Sequence, residues 1–238
     1  MADLRAATAL GLGVVLLLSG CVRAVGREAD PRLVRALPVV APVPPRLAGA
    51  VGPGRVARGA PAAGTGEDGW PRPLEQSPGR SEPVTVVVPR AGVNAPVVQV
   101  DSELDGSVEV PSLYRANLAG WDRLGPTPGE NGSAVILGHL DTKTGPAVFA
   151  RLSQVRRGDA VVVLRDDGTA VVFRVSAVER VRKAAFPVKK VYQVLPYPAI
   201  RLVTCGGRYD FDRHSYEDNL IVYGDFAALY RTSDFLRG

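Results

Sequence analysis

A chain of 238 residues with a net charge of +5, two cysteines and two histidines has room for one or two domains. Two cysteines exclude a disulfide framework, and so few thiols and imidazoles leave no set of ligands for a Cys/His zinc centre. Segment 22–83 holds nine arginines against six acidic residues, most of the excess charge, while the rest of the chain scatters its bases among acids. That is not the clustered basic and aromatic surface of a nucleic-acid groove, so no nucleic-acid partner is expected.

Residues 1–21 read MADLRAATALGLGVVLLLSGC. One arginine precedes an apolar run over 6–20, which is short for a membrane span of roughly 20 residues and suits the apolar region of an export signal. The run ends LLSGC, which resembles a bacterial lipoprotein box and makes Cys21 a candidate for lipidation. The alternative is an uncleaved signal anchor in which Cys21 is incidental. Both readings put the remainder of the chain on the extracytoplasmic face of a membrane, tethered through the N-terminus.

Segment 22–83 carries eleven prolines and nine glycines and keeps no apolar period. Such a composition buries too little apolar surface to offset chain entropy and predicts a disordered, partly extended tether. Trp70 reads as an incidental aromatic within it.

From residue 84 the texture changes. VTVVVP (84–89), NAPVVQV (94–100), GSVEVP (106–111) and SAVILGHLD (133–141) read as strands, and AVFARLSQV (147–155) spaces its apolar residues as a short helix would. Residues 159–181 form two strands about a turn at Asp166-Asp167-Gly168, and IRLVTC (200–205) and NLIVYGDF (219–226) close the series. Roughly eight short strands with one or two short helices predict a mainly β domain over 84–230, a barrel or sandwich, followed by a tail at 231–238. Trp121 is expected in the core or at the barrel lip. Lys183, Lys189 and Lys190 are expected on a solvated face of the connection 182–199, with Tyr192 packed at its base.

One thiol remains in this domain. Cys205 ends a short apolar run and opens onto Gly206-Gly207, where it is either a packed core cysteine or a reachable nucleophile. A nucleophile needs a base, and only His139 and His214 exist. His139 follows a buried strand and a glycine; His214 lies in the polar stretch after Cys205. Rare reactive side chains at two strand ends favour a Cys/His site. Arg208 and Arg213 are the nearby cations that could stabilise an oxyanion.

LVTCGG, followed by SYEDNLIVYG and preceded by VILGHLD, resembles the sortases of the actinobacterial class F type, and the resemblance covers about 84–228. It implies an eight-stranded sortase β-barrel and a cysteine transpeptidase acting at the cell wall; a monomer is expected, no cofactor is expected, and no metal-ligand cluster shows in the sequence, although some members of the family are calcium-stimulated. It implies cleavage of an LPXTG-like sorting signal between Thr and Gly, and transfer of the acyl group to an amine of a peptidoglycan precursor or a pilin. By matching motif, Cys205 corresponds to the nucleophile and His139 to the catalytic histidine. The arginine role falls to Arg213, with Arg208 as the alternative; where other classes carry that arginine, this chain has EDNL with Asn219. Thr204 either positions substrate or simply favours the strand.

Two rivals differ in class. An L,D-transpeptidase also uses Cys, His and Arg, but VTCGGRY does not fit its motif. A non-enzymatic envelope domain binding wall polymer would leave Cys205 packed and inert.

Overall fold

Valine-rich runs bounded by Pro, Gly and Asp build eight strands that close on themselves. The structure is a computed structural model and describes residues 70–101 and 110–235. The strands are β1 (Pro83–Val88), β2 (Val93–Val100), β3 (Ala119–Asp122), β4 (Gly132–Gly138), β5 (Asp141–Thr142), β6 (Gly145–Pro146), β7 (Ala160–Arg165), β8 (Thr169–Arg182), β9 (Pro198–Asp210) and β10 (Ser215–Arg231). Eight of them form a closed barrel in the order β1-β2-β3-β4-β9-β10-β8-β7; β5 and β6 make a separate two-stranded ribbon. Closure removes the exposed edges that an open sheet would present to other chains. Pairing is antiparallel except for β2 with β3 and β4 with β9. The mainly β barrel expected from the strand pattern is therefore present.

The interior is an apolar cluster to which all eight barrel strands contribute, including Val86, Ala95, Trp121, Ile136, Val163, Phe173, Leu202 and Val222. Trp121 is a core residue, and its indole N–H donates to the Pro126 carbonyl at 3.0 Å, so its polar edge is satisfied as well as its ring buried. Another cluster lies on the outer face of the strands: Val135 and Leu137 of β4, Val203 of β9, and Ile221 and Tyr223 of β10, capped by Val191. Val191 ends the one-turn helix α1 (Val188–Val191). Strand β4 is thus covered on both faces, which explains its unbroken apolar run.

Three local expectations change. Residues 147–155 form tight turns ending in a 3-10 helix (Leu152–Gln154), not an α-helix. The amides of Ala150, Leu152, Gln154 and Val155 bond to the carbonyls three residues back, those of Ala147, Phe149, Arg151 and Leu152, so the segment winds as successive tight turns and no four-residue ladder forms. Trp70 is buried, not incidental: it packs on Tyr230 at 5.6 Å and on Phe235 at 5.8 Å between ring centroids. Residues 70–82, tether by composition, lie against the barrel; Leu74 donates its amide to the Leu229 carbonyl at 2.7 Å. The predicted strand at 106–111 falls mostly outside the described residues, and Val110 and Pro111 are not in a strand. Cys21 and the rest of 1–69 also lie outside them.

Candidate active site

The neighbourhood of Cys205 follows from strand register. On β9 and β10 the pairs Val203↔Ile221, Thr204↔Leu220 and Cys205↔Asn219 run without interruption. Val203 and Ile221 belong to the outer cluster, while Ile200, Leu202 and Leu220 belong to the interior. Side chains alternate along a strand, so Cys205 and Asn219 continue the outward rows and Thr204 continues the inward one. Cys205 is a free, half-buried thiol. Thr204 is buried, and its hydroxyl has no hydrogen-bond partner.

β4 runs parallel to β9, with Ile136↔Leu202 and Leu137↔Val203 as its last pairs. His139 stands two residues beyond Leu137, and Cys205 two residues beyond Val203. The thiol and the imidazole therefore emerge at the same end of two hydrogen-bonded neighbours. His139 is half-buried, and its Nε2 lies 2.6 Å from the Pro111 carbonyl. A carbonyl only accepts, so Nε2 carries the proton and Nδ1 is the nitrogen of the neutral ring left to take one up. Gly138 makes this bend possible: a Cβ there would sit 2.6 Å from the Phe149 ring and 2.7 Å from Val148. The Phe149 amide holds the His139 carbonyl from the same side.

The two glycines after Cys205 differ in role. Gly207 has φ +77°, and a Cβ on it would lie 2.4 Å from the Asp218 carboxylate. It begins a bulge in which Gly207 and Arg208 face Glu217 alone. A Cβ on Gly206 would meet nothing closer than 3.7 Å. Beyond the bulge, β9 and β10 are joined by residues 211–214, where His214 takes a left-handed φ of +49°. His214 is a turn residue far along the hairpin from Cys205.

The two candidate arginines are solvent-facing. The Arg213 side chain is 85% exposed and 3.7 Å from Asp210; that of Arg208 is equally exposed and 3.8 Å from Glu217. Tyr216, which the sequence did not single out, lies within electrostatic reach of the thiol. Its hydroxyl donates to Asp141, two residues after His139, and its ring packs edge-on against Tyr209. The Asp141 hydrogen bond, followed by burial and by the charges of Asp141, Cys205 and Tyr209, pushes its phenol up to about 12. Among the described residues no cluster of three or more His, Cys, Asp or Glu side chains gathers to hold a metal.

A thiol and an imidazole at the rim of a closed barrel, with a carbonyl orienting the ring, make a centre suited to nucleophilic acyl transfer. The family model described as "Sortase domain" matches residues 86–227, more than half of the chain. The chain belongs to the sortase family, whose members are cysteine transpeptidases. Among solved structures, it resembles the SrtA sortase from Actinomyces oris at 25% identity and a TM-score of 0.53, covering 68% of this chain and 93% of that one. It also resembles Streptococcus agalactiae sortase C1 (18% identity, TM-score 0.49, 62% and 70% of the two chains). Listeria monocytogenes sortase A is a further likeness (16% identity, TM-score 0.48, 63% and 90%). No curated protein matches the chain.

Proposed function

We propose that this protein is a membrane-tethered sortase of the class F type that cleaves an LPXTG-like sorting signal at Thr-Gly and joins the threonine to an amine of the cell wall or of a pilin. The observation that carries the reading is the emergence of His139 and Cys205 from the same end of the paired strands β4 and β9. The matched family domain and the apolar run at 6–20 support it from independent directions.

In this reading Cys205 gives its thiol proton to His139 Nδ1, and the resulting thiolate adds to the threonine carbonyl. The C=O π pair moves onto oxygen, and the tetrahedral species collapses as the C–N bond breaks. His139, its Nε2–H held by the Pro111 carbonyl, delivers a proton from Nδ1 to the departing glycine amine. An incoming amine then repeats the steps in reverse on the thioester, with His139 taking its proton. Thr204, buried on the inward row with no partner for its hydroxyl among the described residues, stiffens the strand beneath the thiol and could position substrate only through the strand. The resemblance gives the cationic role to Arg213 or Arg208. The N-terminal run anchors the domain at the outer membrane face, through a lipidated Cys21 or a retained signal helix, and an intact mass of the membrane-extracted protein distinguishes the two.

The test is transpeptidation. The full-length protein is incubated with an LPXTG peptide and an oligoglycine amine, and products are weighed. A product joined at threonine supports the reading. Intact peptide across a panel of sorting motifs returns Cys205 to a packing role.

A further inference from the structure

Acyl transfer at Cys205 needs a donor aimed at the oxygen that becomes negative. Arg208, within the bulge that starts at Gly207, and Arg213, beyond it, both face solvent and carboxylates. One polar side chain is instead fixed beside the thiol by the backbone itself. Asn219 pairs directly with Cys205 across β9 and β10. The preceding pairs in the outward row, Val203↔Ile221 and Arg201↔Tyr223, do touch across the strands: the first two share the outer cluster, and the Arg201 guanidinium lies 4.9 Å from the Tyr223 ring. Directly opposed residues carry Cβ atoms about 4.5–5.5 Å apart. The side-chain amide of Asn219 is half-exposed, and no described residue holds it by a hydrogen bond.

We infer that Asn219 is a catalytic residue: its Nδ2–H donates to the oxyanion formed when Cys205 attacks a carbonyl. The inference rests on reading Cys205 as an acyl-transfer nucleophile. In the step, the thiolate forms the C–S bond and the carbonyl π pair settles on oxygen, where Asn219 meets it. The pair returns as the leaving group departs with its own bonding electrons. Asn219 exchanges no proton. The strand register fixes the backbone of Asn219 opposite the thiol, and its neutral amide has no competing partner among the described residues, so its N–H is available to a developing oxyanion.

The experiment compares two reagents on the full-length protein. p-Nitrophenyl acetate acylates the thiol through a tetrahedral oxyanion, and p-nitrophenolate leaves without needing a proton. Iodoacetamide alkylates the same thiol by displacement, with no oxyanion. In Asn219→Ala, acylation should fall roughly 10²-fold while alkylation stays within about twofold. Asn219→Gln, which keeps an amide, should recover part of the loss. Because alkylation within about twofold of wild type reports an intact site, a variant whose alkylation departs from that range in either direction is read as misfolded and its ratio is set aside, and Asn219→Gln then carries the comparison against wild type.

An unchanged ratio of the two rates in Asn219→Ala overturns the inference, as does the same selective loss at Arg213→Ala or Arg208→Ala in its place. If Asn219→Ala shows the selective loss but the wild-type protein leaves LPXTG peptides intact, the sorting-signal reading fails and the oxyanion assignment stands. A wild-type thiol that reacts with neither reagent overturns both.

Discussion

Tyr216 on β10 donates its hydroxyl to Asp141 on β5, tying the Cys205 hairpin to the ribbon that follows His139. The two halves of the candidate site come from strands that are neighbours only through β4 and β9, and this hydrogen bond crosses between them beyond the strand ends. Asp141→Asn should bring the Tyr216 phenol down from about 12 toward its ordinary value of 10, read by ultraviolet titration against Tyr216→Phe as the blank. Because the tie positions and does not react, either substitution should lower kcat by roughly tenfold or less, and the double variant should be no worse than the single ones.

Gly207 sets where β9 resumes after the thiol. Gly207→Ala forces a Cβ into a left-handed residue and against the Asp218 carboxylate. The expected cost is about 1–3 kcal/mol in denaturant unfolding. Gly206→Ala, whose Cβ would make only ordinary van der Waals contacts from 3.7 Å, should cost less than half as much. Equal effects would mean the bulge is not where the strain lies.

The barrel is held at its other side by Arg165, whose side chain is 1% exposed. It donates to the Gly79 carbonyl at 2.6 Å, to Thr169 at 2.9 Å and to Asp167 at 2.9 Å. Burial lowers its pKa while the charges of Asp167 and Glu130 oppose that shift. Arg165→Ala orphans acceptors on both the 79–81 segment and the β7–β8 turn, and should cost about 3 kcal/mol. Trp70→Ala should cost a similar amount by opening the contact with Tyr230 and Phe235. Urea midpoints of the two variants check whether residues 70–82 belong to the cooperative unit.

Two carboxylates should pull the acid stability curve in opposite directions. Burial raises the pKa of Glu130, but hydrogen bonds from Thr127 and the charge and hydrogen bond of Arg80 outweigh it, so the net shift is down from 4.5. Its folded pKa is below the unfolded one, so its contribution is present above pH 4.5 and lost as pH falls through the folded value. Asp122 is shifted up from 3.8 by burial, opposed by the Leu124 amide and aided by Asp101. Its ionised form costs stability near neutrality, and that cost is relieved as pH falls through the raised value toward 3.8. Glu130→Gln should therefore flatten the acid limb of the unfolding midpoint against pH, and Asp122→Asn should steepen it. Shifts of the same sign would contradict the assignment.

Most of the barrel was legible because its strands are valine-rich and bounded by Pro, Gly and Asp; the turn at Asp166-Asp167-Gly168 falls where its residues imply, with Gly168 at φ +77°. β3 was not, since Ala119–Asp122 is four residues long and begins Ala-Gly, with little β-propensity of its own. Helical spacing at 147–155 misled because Val148, Phe149, Leu152 and Val155 pack inward from successive tight turns whose amides bond three residues back, and these turns give nearly the same apolar spacing as an α-helix. Trp70 escaped because its partners Tyr230 and Phe235 are distant in sequence. Cys205 and His139 stood out as rare side chains beside glycines. Asn219 was legible as standing where other classes carry an arginine, but its pairing with Cys205 shows only in the register of β9 and β10; Tyr216 is placed by the bulge of that pair, and Pro111 meets His139 only through a carbonyl, which leaves no side-chain signal.

The most direct test of the central claim is kcat/KM for an LPXTG peptide in the wild-type protein, Cys205→Ala, His139→Ala and the double variant. Two groups acting as one unit predict that each single substitution abolishes cleavage and that the double variant is no worse than either. Cleavage that persists without Cys205, or losses at the two positions that are modest and simply multiply, would contradict a Cys205–His139 centre.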